Sequence, residues 1–190
     1  MNGRLEPCKN SIGGLRNIYV MPFVKYGVSE IDVDNGVELF SFPNTTVYKY
    51  ELRADGNNFN QDISIDDNGE SYSQSLTVVL KKIDLDTNVE LFKLAKLELR
   101  VIAETRLGKF FILGLDNGVT LDYNINTGGA KSDFNGYDLT IEGTEKYLAP
   151  FIDNLTDVGF EVEGEFFGLL LQNDDNLVLQ NDDNLITQNG

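Results

Sequence analysis

The sequence predicts a mainly β fold: a β-sandwich or partly closed barrel with one flanking α-helix at about 87–97 and a long hairpin loop. Three observations predict it. Asn-Gly pairs recur between runs in which apolar and polar residues alternate. Gly, Asn, Asp, Val and Thr are common while Ala is scarce, a balance that favours strands and tight turns. A single segment carries a helix-start signal followed by a helical apolar stripe.

The elements follow in chain order. Asn and Gly both tolerate positive φ, which a two-residue type I′ turn requires. Ile31 and Val33 alternate before Asn35-Gly36, and Val37 and Leu39 after it. Ile63 and Ile65 precede Asn68-Gly69, with Tyr72, Leu76, Val78 and Leu80 beyond. Phe111, Leu113 and Leu115 precede Asn117-Gly118, and Val119 and Leu121 follow, so a hairpin is expected there too. After Asn135-Gly136 come Tyr137, Leu139 and Ile141, while the upstream Thr127-Gly128-Gly129-Ala130 reads as loop.

The segment Thr87-Asn88-Val89-Glu90 has the form of a capping box, and Leu91, Leu94 and Ala95 fall on one stripe behind it. That places a helix at about 87–97, with a strand from about Leu99 to Glu104. Residues 53–62 are polar and Asn-rich and are expected to form an exposed loop between strands. At the C-terminal end Leu171-Gln172-Asn173-Asp174-Asp175-Asn176-Leu177 recurs as Leu179-Gln180-Asn181-Asp182-Asp183-Asn184-Leu185. Very short strands, an acidic arm, or an arm pairing with a neighbour's sheet would each fit that repeat. The expected division is a β-sandwich domain at 1–165 and an acidic octad-repeat segment at 166–190.

At 190 residues, 41% of them hydrophobic, the chain can bury one core and is not of the disordered class. It carries 31 acids against 15 bases, a net charge of -16, which argues against a sequence-reading DNA binder and against anionic lipid surfaces. Residues 1–7 lack the apolar stretch of a signal peptide, and no apolar run is long enough to span a bilayer, so synthesis and assembly in a cytoplasm are expected. Histidine is absent and Cys8 is the one cysteine. The usual general base, the usual metal ligand and the Ser-His and Cys-His pairings are therefore missing.

Carboxylate pairs such as Asp66-Asp67, Asp174-Asp175 and Asp182-Asp183 sit in expected turns, where Asp serves backbone hydrogen bonding. Asp32-Val33-Asp34-Asn35-Gly36 only begins like a calcium loop and lacks its closing Glu. Gly13-Gly14 and Gly128-Gly129 lack the residues that complete a phosphate loop. The expectation is a protein that is not an enzyme, with no catalytic, cofactor or metal residues.

Two stretches resemble a known family. One is Cys8-Lys9-Asn10-Ser11-Ile12-Gly13-Gly14-Leu15-Arg16-Asn17-Ile18-Tyr19-Val20. The other runs from Phe110-Phe111-Ile112-Leu113-Gly114-Leu115-Asp116-Asn117-Gly118 through Thr127-Gly128-Gly129 to Asn135-Gly136-Tyr137-Asp138-Leu139-Thr140-Ile141-Glu142-Gly143-Thr144-Glu145, and its end includes Tyr147-Leu148-Ala149-Pro150-Phe151. Both are similar to structural proteins of Bacteroidetes phages, the tail tube and the tail or neck ring proteins, including those of crAss-like short-tailed phages.

The resemblance implies a tail-tube-like sandwich that assembles with copies of itself into a ring or tube. Other tail or neck proteins would be its partners, in a virion built in the host cytoplasm. Genomic DNA would pass an acidic lumen without specific binding. The inter-subunit contact candidates are Arg53, Asp55, Asn58, Phe59, Asp66, Asp67, Glu70 and Tyr72, on the long segment and the hairpin that would reach a neighbouring ring. The alternatives are a neck or tail ring of a short-tailed phage, and a monomeric carbohydrate- or receptor-binding β-sandwich. For the last, Tyr48 and Tyr50 on one side of a strand are the best candidate surface.

Overall fold

A computed structural model describes residues 11–25, 45–67, 69–152, 154–155, 159–163, 178–181 and 184–187. The expected Asn35-Gly36 hairpin, Cys8 and the first octad lie outside the described residues.

Alternation decides the architecture. Strand β1 (Leu15–Pro22) runs antiparallel to β2 (Thr45–Glu51) on one side and to β5 (Leu99–Thr105) on the other. Antiparallel pairing then adds β6 (Phe110–Leu113) and β9 (Phe151–Ile152) beyond β5, while β10 (Phe160–Val162) runs parallel to β2. The six-stranded order is β10-β2-β1-β5-β6-β9. A second sheet has the order β3-β4-β8-β7, from β3 (Asn58–Asp66), β4 (Gly69–Lys81), β8 (Gly136–Glu145) and β7 (Thr120–Asn126). The fold is thus a mainly β sandwich with one sheet curled into a half-barrel and one helix, as the sequence predicts.

Two cores flank the six-stranded sheet. One face sends Ile18, Val20, Val101, Ala103 and Leu113 against Leu76, Val78, Leu121, Tyr137, Leu139 and Ile141 of the second sheet. The other face buries Tyr19, Met21, Ile102 and Ile112 with Val47, Ile152, Phe160 and Val162. Strand β5 is therefore buried at every position from Leu99 to Glu104, whereas the strands of the four-stranded sheet alternate. At roughly 25 cal/mol per Å2, each fully buried Leu or Ile contributes about 1.5–3 kcal/mol, so these two clusters hold the sandwich shut.

Helix α1 (Leu85–Leu94) closes one end of the main core with Leu91 and Leu94. It starts two residues before the expected 87 and stops three before 97. Asp84, not Thr87, is the N-cap: its carboxylate accepts from the Thr87 amide at 2.8 Å and from the Thr87 hydroxyl at 2.8 Å. Those bonds hold the Asp84 carboxyl below its usual range. Thr87 lies three residues past the cap and donates instead of accepting, so the cap is one turn earlier than the expected Thr87–Glu90 box.

Two further expectations change. Phe111–Leu113 and Val119–Leu121 do not form a hairpin across Asn117-Gly118, because β6 and β7 belong to different sheets. Gly114 and Gly118, at φ +69° and +81°, turn the chain from one layer to the other. A side chain at Gly114 would also meet the Leu99 carbonyl. Residues 53–62 are not an exposed loop: Ala54 and Asn57 are buried and β3 begins at Asn58. Asn57 ties this turn down, donating to Ala54 O at 2.6 Å and accepting from the Val79 amide at 2.7 Å.

Part of the second octad pairs as a short hairpin, β11 (Val178–Asn181) with β12 (Asn184–Thr187), a two-stranded sheet of its own. Asn181 and Asn184 are paired at one end of this ladder.

Candidate functional site

The four-stranded sheet has one face in the core and one in solvent. Registers Asn60↔Ser75↔Glu142↔Thr120 and Asn58↔Thr77↔Thr140↔Asp122 put these residues on the solvent face, opposite buried Leu76, Ile141 and Leu121. Along the same face stand Asp62, Asp66, Asp138, Asn124 and serines 64, 71 and 73. Five carboxylates, Asp62, Asp66, Asp122, Asp138 and Glu142, face solvent there against one base, Lys81 at the far end of β4. The acids are diluted by hydroxyls and amides, so the surface is hydrated and negative. Ser75 Oγ donates to Glu142 at 3.3 Å across the strands.

The two margins of this sheet are open. Among the described residues no strand pairs with the outer side of β3 or of β7. β3 is long, with Ile63 57% and Ile65 73% exposed. A margin of that kind is a template for another strand.

The eight contact candidates divide into two groups. Arg53 and Asp55 lie before β3 and are exposed; Arg53 pairs with Glu51 at 2.8 Å and Asp55 with Arg106 at 3.6 Å. Asn58 opens β3 on the acidic face, but Phe59 turns inward, its ring 5.4 Å from Phe111. Asp66, Asp67 and Glu70 crown the β3–β4 hairpin, and the Tyr72 hydroxyl donates to Glu70 at 3.1 Å, which raises the phenol's pKa. The β3 strand separates the groups by roughly 27 Å, at 3.3 Å per residue. The hairpin reverses between paired Asp66 and Gly69, so Gly69 closes the ladder and is not a central turn residue.

At the hairpin end the core-facing rows turn polar. Gln74, buried, accepts from the Gly114 amide at 3.1 Å, and Gln61 accepts from the Ala149 amide at 2.8 Å. The buried Glu145 carboxylate accepts from the amides of Asp116 and Asn117, each at 3.0 Å. These side chains fasten the passage between sheets to the second sheet. Burial raises the pKa of Glu145, against the pull of those amides.

A cleft of about 620 Å3 lies on the outer face of the six-stranded sheet. Glu104 lies in its floor, accepting from Asn17 at 2.6 Å and Tyr19 at 2.8 Å, with Arg16 at 3.7 Å. Nothing in the sequence pattern pointed to this pair of strands meeting. Tyr48 is exposed as expected, but Tyr50 packs against the core, where burial first and the Glu90 carboxylate second raise its phenol's pKa. Among the described residues no group of three His, Cys, Asp or Glu side chains could hold a metal ion, and no helix is long and apolar enough to cross a membrane.

No family model matches this chain, nor does any curated protein or solved structure.

Proposed function

We propose that the chain is a non-enzymatic structural subunit that assembles with its own copies into a ring or tube, forming part of a DNA conduit in a phage tail or neck. One observation carries the reading. Among the described residues both margins of the second sheet are unpaired, and successive antiparallel pairings leave β3 and β7 pointing in opposite directions. Setting β3 of one copy beside β7 of the next continues the same antiparallel ladder. Such a contact joins two different surfaces, so it repeats from copy to copy and closes into a ring when the rotation permits. Closure removes both margins at once.

The face left uncovered by the six-stranded sheet would then line the ring. Its five carboxylates and many hydroxyls suit a wall that DNA phosphates pass without sticking. At physiological salt, screening over about 8 Å confines this effect to groups on the wall itself. The partners are other copies of the chain and neighbouring tail or neck proteins, in a virion assembled in the host cytoplasm.

The cleft above Glu104 favours a second reading, a monomeric binding module for a small polar ligand such as a sugar. Electron microscopy of the purified chain, with light scattering, separates the two. Annular particles with a central hole are expected. A monomer that persists at high concentration ends the ring reading and favours the module.

A further inference from the structure

A polar row crosses the six-stranded sheet where its outer apolar layer ends. The registers Glu51↔Asn17, Asn17↔Glu104 and Glu104↔Phe110 set these residues side by side on β2, β1, β5 and β6. Two residues along each strand, on the same face, stand Lys49, Tyr19, Ile102 and Ile112, the last three in the outer core. The pairing of β10 with β2 stops at Val47. The polar row lies beyond it, in the lining of the cleft of about 620 Å3.

Four of the five charged side chains in that lining pair with one another, Arg53 with Glu51 at 2.8 Å and Arg16 with Glu104 at 3.7 Å. Glu104 is 6% exposed. Its Oε2 accepts from Asn17 and Tyr19, whereas its Oε1 has, among the described residues, only the long Arg16 contact. An ionised carboxylate has about four acceptor positions, so Oε1 can still take a donor. Phe110, Leu155 and Val162 give the same lining an apolar side.

This lining selects a ligand class. A small anion at the floor meets the Glu104 carboxylate, and a small cation meets Arg16 and Arg53. An apolar ligand strips water from Glu104 Oε1 without replacing its hydrogen bonds. An uncharged molecule whose hydroxyls both donate and accept, with a C–H face, answers every group. The geometry points to a neutral saccharide, donating a hydroxyl to Glu104 Oε1, accepting from Arg16 and laying its C–H face on Phe110. The volume falls in the range of about 300–1,000 Å3 usual for small-ligand sites. The margins at which copies would join, β3 and β7, belong to the other sheet, so the cleft is open in a ring and in a single chain alike. This rests on the binding reading of the cleft given above and does not need the ring.

Saturation-transfer difference NMR on the full chain tests it, because it reads ligand protons at any particle size. The probes are the methyl glycosides of glucose, galactose, mannose and N-acetylglucosamine, with acetate and ethylammonium as small ions of either sign. At least one glycoside is expected to gain saturation, and neither ion. Glu104→Gln is expected to weaken that glycoside about tenfold or more, as loss of a hydrogen bond to a charged group does. Glu104 also ties down Asn17 and Tyr19, so Arg16→Ala is the second variant. The Arg16 side chain is 61% exposed, the fold should be unchanged, and binding should weaken about twofold to tenfold. Asp122→Asn, on the other sheet, should leave the affinity unchanged. No saturation of any glycoside, saturation of an ion in place of the glycosides, or glycoside binding that both cleft variants leave unchanged overturns the inference. Annular particles that take no glycoside remove the saccharide site and leave the ring; a monomer that binds one through Glu104 removes the ring and keeps the site.

Discussion

The carboxylate of Glu145 accepts the backbone amide of Asn117 at 3.0 Å, joining the last residue of β8 to the passage between the two sheets. The amide of Asp116 binds the other oxygen at the same distance. The crossover from β6 to β7 is therefore held by a buried acid without a salt bridge among the described residues.

Removing that acid has two separable effects. Glu145→Ala leaves two amides without their acceptor and should cost about 1–3 kcal/mol, read as a lower denaturant midpoint. Glu145→Gln keeps one acceptor and removes the charge. Burial raises the folded pKa above the ordinary glutamate value, so the folded state holds its proton longer than the unfolded one. This group's contribution to stability therefore falls as pH rises from about 4.5 through the raised value, then levels off. Urea midpoints across that range should show the extra decline in the native protein and not in Glu145→Gln. Parallel curves would show that the carboxyl does not titrate as the burial implies.

Gly143 is fixed by close approach. A Cβ there would stand 2.8 Å from the Gly118 carbonyl and 2.8 Å from Val119 Cγ1. Gly143→Ala should push the crossover off β8 and destabilise the chain by about 1–3 kcal/mol, as overpacking does. Gly13→Ala, where nothing lies within 4 Å, is the control. Equal unfolding midpoints for the two variants would contradict the packing described.

The acidic face makes a charge prediction. Asp62→Lys, Asp122→Lys and Glu142→Lys together should leave assembly intact, since all three are exposed on a hydrated surface. The assembled variant should then retain duplex DNA in a gel shift, with a log–log salt slope of about −0.9 per phosphate neutralised. The native assembly should not. DNA retention by the native assembly would refute a non-adhesive wall.

Local pattern revealed strands more readily than their partners. The alternation of Tyr137, Leu139 and Ile141 marked a strand with one buried face, and β8 has that face. The same alternation around Asn117-Gly118 marked two strands correctly and their pairing wrongly. Period two states which side chains share a face but not which sheet receives them. The acidic face was hidden for this reason: it comes from four strands brought together by registers such as Asn60↔Ser75↔Glu142. The polar run 53–62 misled because Asn57 uses its amide to bind backbone, and polarity alone does not distinguish a buried, bonded Asn from an exposed one. The helix was legible from its stripe, while its start was obscured by an Asp one turn upstream of the Thr.

The pairing of β1 with β5 sets an order of events during synthesis. Tyr19 meets Ile102 roughly eighty residues later, so the doubly buried centre cannot close until more than half the chain exists. The β3–β4 hairpin is local and complete before β5 has been made. Sticky margins therefore exist on the nascent chain ahead of the layer that backs them, and premature association between ribosome-bound copies is the hazard this topology must outrun.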